Sequence, residues 1–401
     1  MANDDFKVRT VGYYKRDNAM SITANVRPTK LNANYHRFPA AIGAEWKRFK
    51  KDHCIDLTTH AVLDDGNLEN YFESLLNYIA EVGFHGEPPQ YVTNKYLLHG
   101  IAADSLKETL LLLVRYKDVI FISTCKDFKN PAAHGAMKYL HGANFQHYLT
   151  KVSEQETPHD YSSTGCKAVL KFGMNLDGKK ATVFYSGEID TIDDRNRHIE
   201  LKAKFNGTNG FYFWIGIQPT YWQMFFSDCH ALLVGDKTGA KQQRGDTVYW
   251  DTESKSYRKA GTKERIDRRT YPECYPFLDY PAYSLCDITK LLLSDIPREC
   301  ALARQKSDKK LAEIRASRRV VKDVPFLEWS HDEGKQRVQD FLAMVKRSCP
   351  NNGESVVIAK TVNVAWELKE IPDLKEQYEL KQFGDLVIKK MDEWETKKTI
   401  V

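Results

Sequence analysis

The sequence predicts a single domain of the α/β or α+β class. Three observations lead there. Segments with strand and helix periodicity alternate along the 401 residues, with no internal repeat and no low-complexity linker. Hydrophobic residues make up 42% and charged residues 28%, the balance of a folded, water-soluble chain. No run approaches the roughly 18 apolar residues of a membrane span, so no membrane partner is expected.

Residues 1–60 read as irregular, with short extended pieces such as KVRTVGYYK. Residues 67–83 carry apolar positions at helical spacing, with Gly83 as the stop. Residues 108–125 read as a hairpin turning at Tyr116, Lys117 and Asp118. Residues 136–150 predict a helix despite Gly142, and 166–173, 179–190 and 197–205 predict strands. The stretch 213–229 is helical after Pro219 and runs into a strand, HALLVGD. Further on come a basic helix (RQKSDKKLAEIRASRRV), a helix over 332–349, a hairpin (ESVVIAKTVNVAWEL) and a helical tail over about 373–401.

Charge is unevenly spread. The chain carries +5 overall, yet residues 237–322 hold 20 Lys and Arg against 12 Asp and Glu. The region 237–330 therefore reads as a basic insertion in a domain spanning 1–401. It is either a solvated face or a contact for an anionic partner, with Arg268, Arg269, Arg318 and Arg319 as candidate phosphate contacts. The eight cysteines form no Cys-x-x-Cys pair and no zinc-ligand spacing, so they read as reduced thiols inside a cell. The opening MANDDFKVRT lacks the apolar core of a signal peptide, and the expected location is the nucleus or the cytosol.

The chemistry concentrates in YSGEIDTIDDRNRHIELKAK, residues 185–204. Residues two apart on a strand share a face, which places Glu188 with Asp190, and His198 with Glu200, Lys202 and Lys204. Pairing residue 190 with 200 across a hairpin would gather three carboxylates and a lysine on one surface. Such a cluster repels itself unless a cation joins it. Mg²⁺ or Mn²⁺ would take the carboxylate oxygens, and Lys202 would orient or activate water, as in a metal-dependent nuclease. The spacing alone fits a polar, solvated strand face equally well.

Further positions bear on that choice. The stretches FYSGEIDTID, HIELKAK and YWQMFFSDCHALLVGD resemble the DXO family of RNA 5′-end decapping nucleases, which includes fungal partners of nuclear 5′–3′ exoribonucleases. The resemblance runs over residues 10–236 and 335–370. It implies mixed β-sheets flanked by helices around a metal-dependent nuclease core. It also implies Mg²⁺ or Mn²⁺ at Glu188, Asp190 and Glu200, catalytic roles for Lys202 and Gln223, and RNA 5′ ends (triphosphate, incomplete cap or NAD cap) as substrate. A 5′–3′ exoribonuclease or a second copy of the chain are the implied protein partners.

Three departures accompany the match. Where the family has a metal-binding glutamate, HGANFQHY offers Gln146. Where the family holds a substrate phosphate with arginine, YVTNKYLLHG offers Lys95, which lacks the bidentate fork. Where the family has a lysine on the glutamine helix, Pro219 and Thr220 stand. Gln146 can lend a carbonyl oxygen but no charge, and Glu154 and Glu156 lie beyond its helix. Metal is therefore expected to bind weakly and activity to be low or absent. The alternative is a catalytically silent homologue that binds RNA ends or a partner as a scaffold or exoribonuclease cofactor.

Overall fold

The structure, a computed structural model, describes residues 5–17, 19–32, 55–56, 69, 71–125, 133–150, 166–205, 207–209, 211–239, 248–251, 256–259, 283–316, 329–361, 366–370 and 372–400. In chain order, β1 (Arg9–Arg16), β2 (Ile22–Ala24) and β3 (Ile55–Asp56) precede α1 (Glu73–Val82), β4 (Tyr91–Asn94) and α2 (Lys95–Ala102). The hairpin β5 (Thr109–Tyr116) and β6 (Val119–Thr124) leads to α3 (Ala133–Thr150). Then come β7 (Cys166–Leu176), β8 (Lys179–Glu188), β9 (Thr191–Ile192) and β10 (His198–Phe205). Helices α4 (Phe211–Ile215) and α5 (Ile217–Phe225) carry the chain to β11 (Cys229–Gly239), β12 (Val248–Asp251), β13 (Ser256–Lys259) and β14 (Tyr283–Leu292). The last elements are α6 (Ile296–Ala316), α7 (His331–Ser348), β15 (Ser355–Lys360), β16 (Glu367–Leu368) and α8 (Leu374–Ile400). No described helix is long and apolar enough to cross a membrane.

The strands form a nine-stranded sheet ordered β16-β15-β5-β6-β4-β8-β7-β1-β2 and a five-stranded sheet ordered β3-β14-β11-β10-β9. Helices cover the larger sheet on both faces. One face packs Leu97, Leu98 and Ile101 of α2, Trp222 of α5 and Phe341 of α7 against Leu170, Val183 and Tyr185. The other packs Leu75, Leu76 and Ile79 of α1 and Phe383 and Val387 of α8 against Val92, Val169 and Phe184. Two-sided burial explains the unbroken apolar runs of β5 and β6. Their turn residues, Lys117 and Asp118, both have positive φ, the geometry a two-residue hairpin turn needs. Neither is glycine. Instead, Lys117 is tied to Asp392 and Glu395 of α8, and the Asp118 N–H donates to Asn352 Oδ1 at 2.7 Å.

Most of the expected elements are present, with instructive differences. The glutamine helix starts at Ile217, ahead of Pro219, because a first-turn proline forfeits an N–H that has no helical partner anyway. The strand expected over 179–190 stops at Glu188, and the chain re-pairs three residues later, at Thr191, in the other sheet. The region read as a basic insertion contains β14, which hydrogen-bonds along β11 from Ala231↔Leu292 to Gly239↔Tyr283 and so completes the smaller sheet. Its Arg268, Arg269, Arg318 and Arg319, like Glu154 and Glu156, lie outside the described residues.

Helix α5 is fixed by its neighbour α7. Trp222 is fully buried, and a Cβ on Gly334 would come within 1.9 Å of its indole ring. His331, one turn earlier on α7, stacks on the same ring at 5.5 Å and 4°. Only glycine lets the two helices approach this closely. Gly334→Ala should therefore act as overpacking and cost about 1–3 kcal/mol. A guanidinium unfolding midpoint checks this, and an unchanged midpoint would mean the helices slide apart at no cost.

Candidate functional site

The site forms where the chain leaves one sheet and enters the other. β4 and β8 are parallel neighbours with Asn94 opposite Ser186, so the turn from β4 into α2 sets Lys95 beside Gly187. Asn94 caps α2 by accepting from the Leu97 N–H at 2.9 Å. The Lys95 stem lies across Gly187, where a Cβ would meet its Cδ and Cε at 2.6 Å. The Lys95 ammonium donates to the Glu188 carbonyl oxygen at 2.5 Å.

Because Gly187 faces Lys95, strand alternation sends the Glu188 side chain to the opposite face. There Glu188 is exposed, with Lys167 as its cross-strand neighbour. Lys167 pairs with Glu69 and donates to Ser74 Oγ at 3.2 Å, so it belongs to a separate polar cluster. Glu188 thus lends its carbonyl to the site, while its carboxylate points elsewhere. Sequence parity places Glu188 and Asp190 on one face, but parity holds only within a strand, and β8 has ended by Asp190.

Asp190 sits at the crossing. The pairs Ile192↔His198 and Thr191↔Ile199 set a register that brings residue 190 opposite residue 200. The Leu201 N–H donates to Asp190 Oδ2 at 2.7 Å. Gln146, on α3, donates through Nε2 to the Asp190 carbonyl oxygen at 2.6 Å. α3 is held there by Phe145, Tyr148 and Leu149, which pack on Ile199, Leu201 and Leu233 of the smaller sheet.

Glu200 is 1% exposed. Its Oε1 accepts from the Lys202 ammonium and from Gln223 Nε2 at 2.6 Å. Gln223 reaches it because β10 and β11 are parallel and α5 lies on the crossover between them. Asp190, Glu200, Lys202, Gln223, Lys95 and Gln146 therefore meet in one place.

The charges of this cluster shape one another. Burial, then the Glu200 charge, pushes the Asp190 carboxyl up to about 7. Burial would raise Glu200 as well, but Lys202 and Lys95 outweigh it and hold that carboxyl below its usual value. Lys202 stays firmly protonated, since Glu200 and Asp190 overcome its burial. His99 is missed by motif reading, although it lies four residues after Lys95 and so on the same helix face. Burial, then Lys95, drives its imidazole down to about 4.

A divalent cation does not fit this donor set as it stands. Two carboxylates face two ammonium groups, Glu200 Oε1 is already engaged twice, and Gln146 presents its N–H₂ end. Among the described residues no three His, Cys, Asp or Glu side chains converge as a metal site would require. A divalent ion about 4 Å from an ammonium is repelled by roughly 8 kcal/mol at an effective dielectric near 20.

No protein-family model matches the sequence, and no curated protein does. Solved structures match over nearly the whole chain. Scheffersomyces stipitis Rai1, solved with (3′-NADP)⁺ and calcium, aligns with a TM-score of 0.56 and 10% identity over 96% of each chain. K. lactis Dxo1, solved with manganese, aligns at 0.57 and 11% over 93% of this chain and 92% of its own. The chain has the Rai1/Dxo1 fold. Candida albicans Rai1, solved with pU5 and Mn²⁺, agrees at 0.54 and 10% over 95% and 96%. The resemblance read from the motifs thus holds at the level of fold, at an identity too low for the motifs to be seen except locally.

The depressed histidines yield a pH test. His99, His198 and His331 all sit below their usual value, chiefly through burial. Their unfolded forms take up protons first as pH falls, so stability is full above about 6.5 and is lost below it. His99 alone should remove about 1 kcal/mol by pH 5.5. Urea midpoints of wild type and His99→Gln between neutral pH and 5.5 check this, and parallel profiles would contradict it.

Proposed function

We propose that this chain is a divergent Rai1/Dxo1-type protein that engages RNA 5′ ends, with a degenerate metal site and low or absent hydrolytic activity. The observation that carries the reading is the meeting of Asp190, Glu200, Lys202 and Gln223 at the crossing between the sheets, with Gln146 placed against Asp190 by its amide. The first four are the residues the family resemblance assigns to metal and catalysis. The 5′ terminus, as triphosphate, incomplete cap or NAD cap, is the ligand that reading implies. Lys202 supplies positive charge for its phosphates, whereas Lys95 is buried and engaged by the Glu188 carbonyl. Lys202 is held by Glu200 as a protonated donor, so it can orient water or a phosphate oxygen but is a poor base.

A second reading, an RNA-end-binding or partner-binding scaffold with no turnover, is favoured by the same geometry. Glu188 turns its carboxylate away, and Gln146 offers a donor where a metal needs an acceptor. An exoribonuclease or a second copy of the chain are the partners to try.

Incubation of 5′-labelled RNAs bearing triphosphate, unmethylated cap or NAD cap with Mn²⁺ separates these readings. The proposal expects 5′-end-selective binding with turnover far below the roughly 1–10³ s⁻¹ of ordinary enzymes. An ordinary rate would overturn the degenerate-site reading, and absence of 5′-end selectivity would overturn both. Gln146→Glu sharpens the test. It removes the bond to the Asp190 carbonyl and sets a carboxylate against that oxygen, so the metal-free variant should be less stable by about 1–3 kcal/mol. Mn²⁺ should recover more of that loss in the variant than it adds to wild type. Equal Mn²⁺ effects on both would mean Gln146 has no bearing on the metal.

A further inference from the structure

Asp190 and Glu200 lie together in a largely buried site, and buried carboxylates persist as ions only where cations balance them. Lys202 accounts for one charge through its bond to Glu200. The other is supplied from a different part of the fold. Lys95 comes from the turn between β4 and α2, is only 8% exposed, and ends on the carbonyl oxygen of Glu188. Its stem runs over Gly187 to the backbone of Glu188, which places the ammonium inside the site rather than at the rim. A backbone carbonyl next to two carboxylates is the oxygen-rich setting that a hard cation would take.

We propose that the Lys95 ammonium is a resident cation that replaces a divalent metal, so that the site is balanced without one. This deepens, and rests on, the reading of the cluster as a diverged nuclease centre. Gly187 is part of the device. The glycine leaves the channel through which the lysine stem reaches Glu188, and any Cβ there would collide with three of its carbons. The ammonium competes with a metal ion for the space, because it repels the ion and holds the carbonyl the ion would bind. Removing the lysine charge should therefore create metal affinity rather than abolish it. A substrate-contacting lysine, or one that only caps a carbonyl, predicts no such gain.

The test is Mn²⁺ binding by calorimetry, with thermal unfolding of the full chain, in the absence of RNA. Lys95→Met removes charge and donor together. Lys95→Gln keeps an amide donor for the Glu188 carbonyl and removes the charge alone, which guards against a variant that fails through the lost hydrogen bond. Lys167→Met, at the buried lysine of the separate Glu69 cluster, is the control. The proposal expects little or no Mn²⁺ effect on wild type and roughly tenfold or greater gain in affinity in both Lys95 variants. It also expects Mn²⁺ to restore their lost melting temperature, no recovery in Lys167→Met, and loss of the gain when Asp190→Asn is added. Wild type binding Mn²⁺ as tightly as the variants would overturn the proposal, as would Lys95 variants that gain nothing. Since RNA is absent, such a failure leaves the RNA 5′-end reading standing. A Mn²⁺ gain without any 5′-end selectivity would remove that reading and keep this one.

Discussion

The site depends on how a buried and a half-buried carboxylate, Glu200 and Asp190, are held at the crossing between two sheets. β8 ends the larger sheet's share of the chain at Glu188, and β9 begins the smaller sheet's share at Thr191. Asp190 is left between them, tied to β10 by the Leu201 N–H and to α3 by Gln146. Glu200 is pressed into the same space by burial of β10's other face, where Ile199 and Leu201 pack under α3. Glu200 cannot relax toward water without unpairing its strand. Everything else in the site answers the demand this makes for positive charge.

Two lysines meet that demand, and their origins differ. Lys202 follows Glu200 on the same strand, so the pair forms wherever β10 forms. Lys95 depends on the tertiary fold, through the parallel pairing of β4 with β8 and the channel over Gly187. A centre balanced this way keeps its shape and its hydrogen-bond donors. It gives up the room in which a divalent ion would polarise phosphate and water.

Much of this was readable in the sequence. The β10 alternation, with His198, Glu200 and Lys202 opposite Ile199 and Leu201, appears as read, because strand parity is local, although His198 and Glu200 prove as buried as the apolar face. The placement of residue 190 against 200 follows from the short loop between β9 and β10. Glu188 was legible as an acid but not as one facing away, since nothing local marks the end of β8. The strand β14 escaped notice because it lies within a stretch that reads as basic overall, and its partner β11 lies more than 40 residues earlier. The roles of Lys95 and Gly187 were illegible for the same reason. Their contact joins positions 92 apart, and only the parallel pairing brings them together.

The most direct measurement is an anomalous-difference map from crystals of the wild-type chain soaked in Mn²⁺. The account predicts no manganese peak between Asp190 and Glu200, and density for the Lys95 side chain running over Gly187 to the Glu188 carbonyl. A strong peak liganded by Asp190 and Glu200, with Lys95 swung aside, would contradict it.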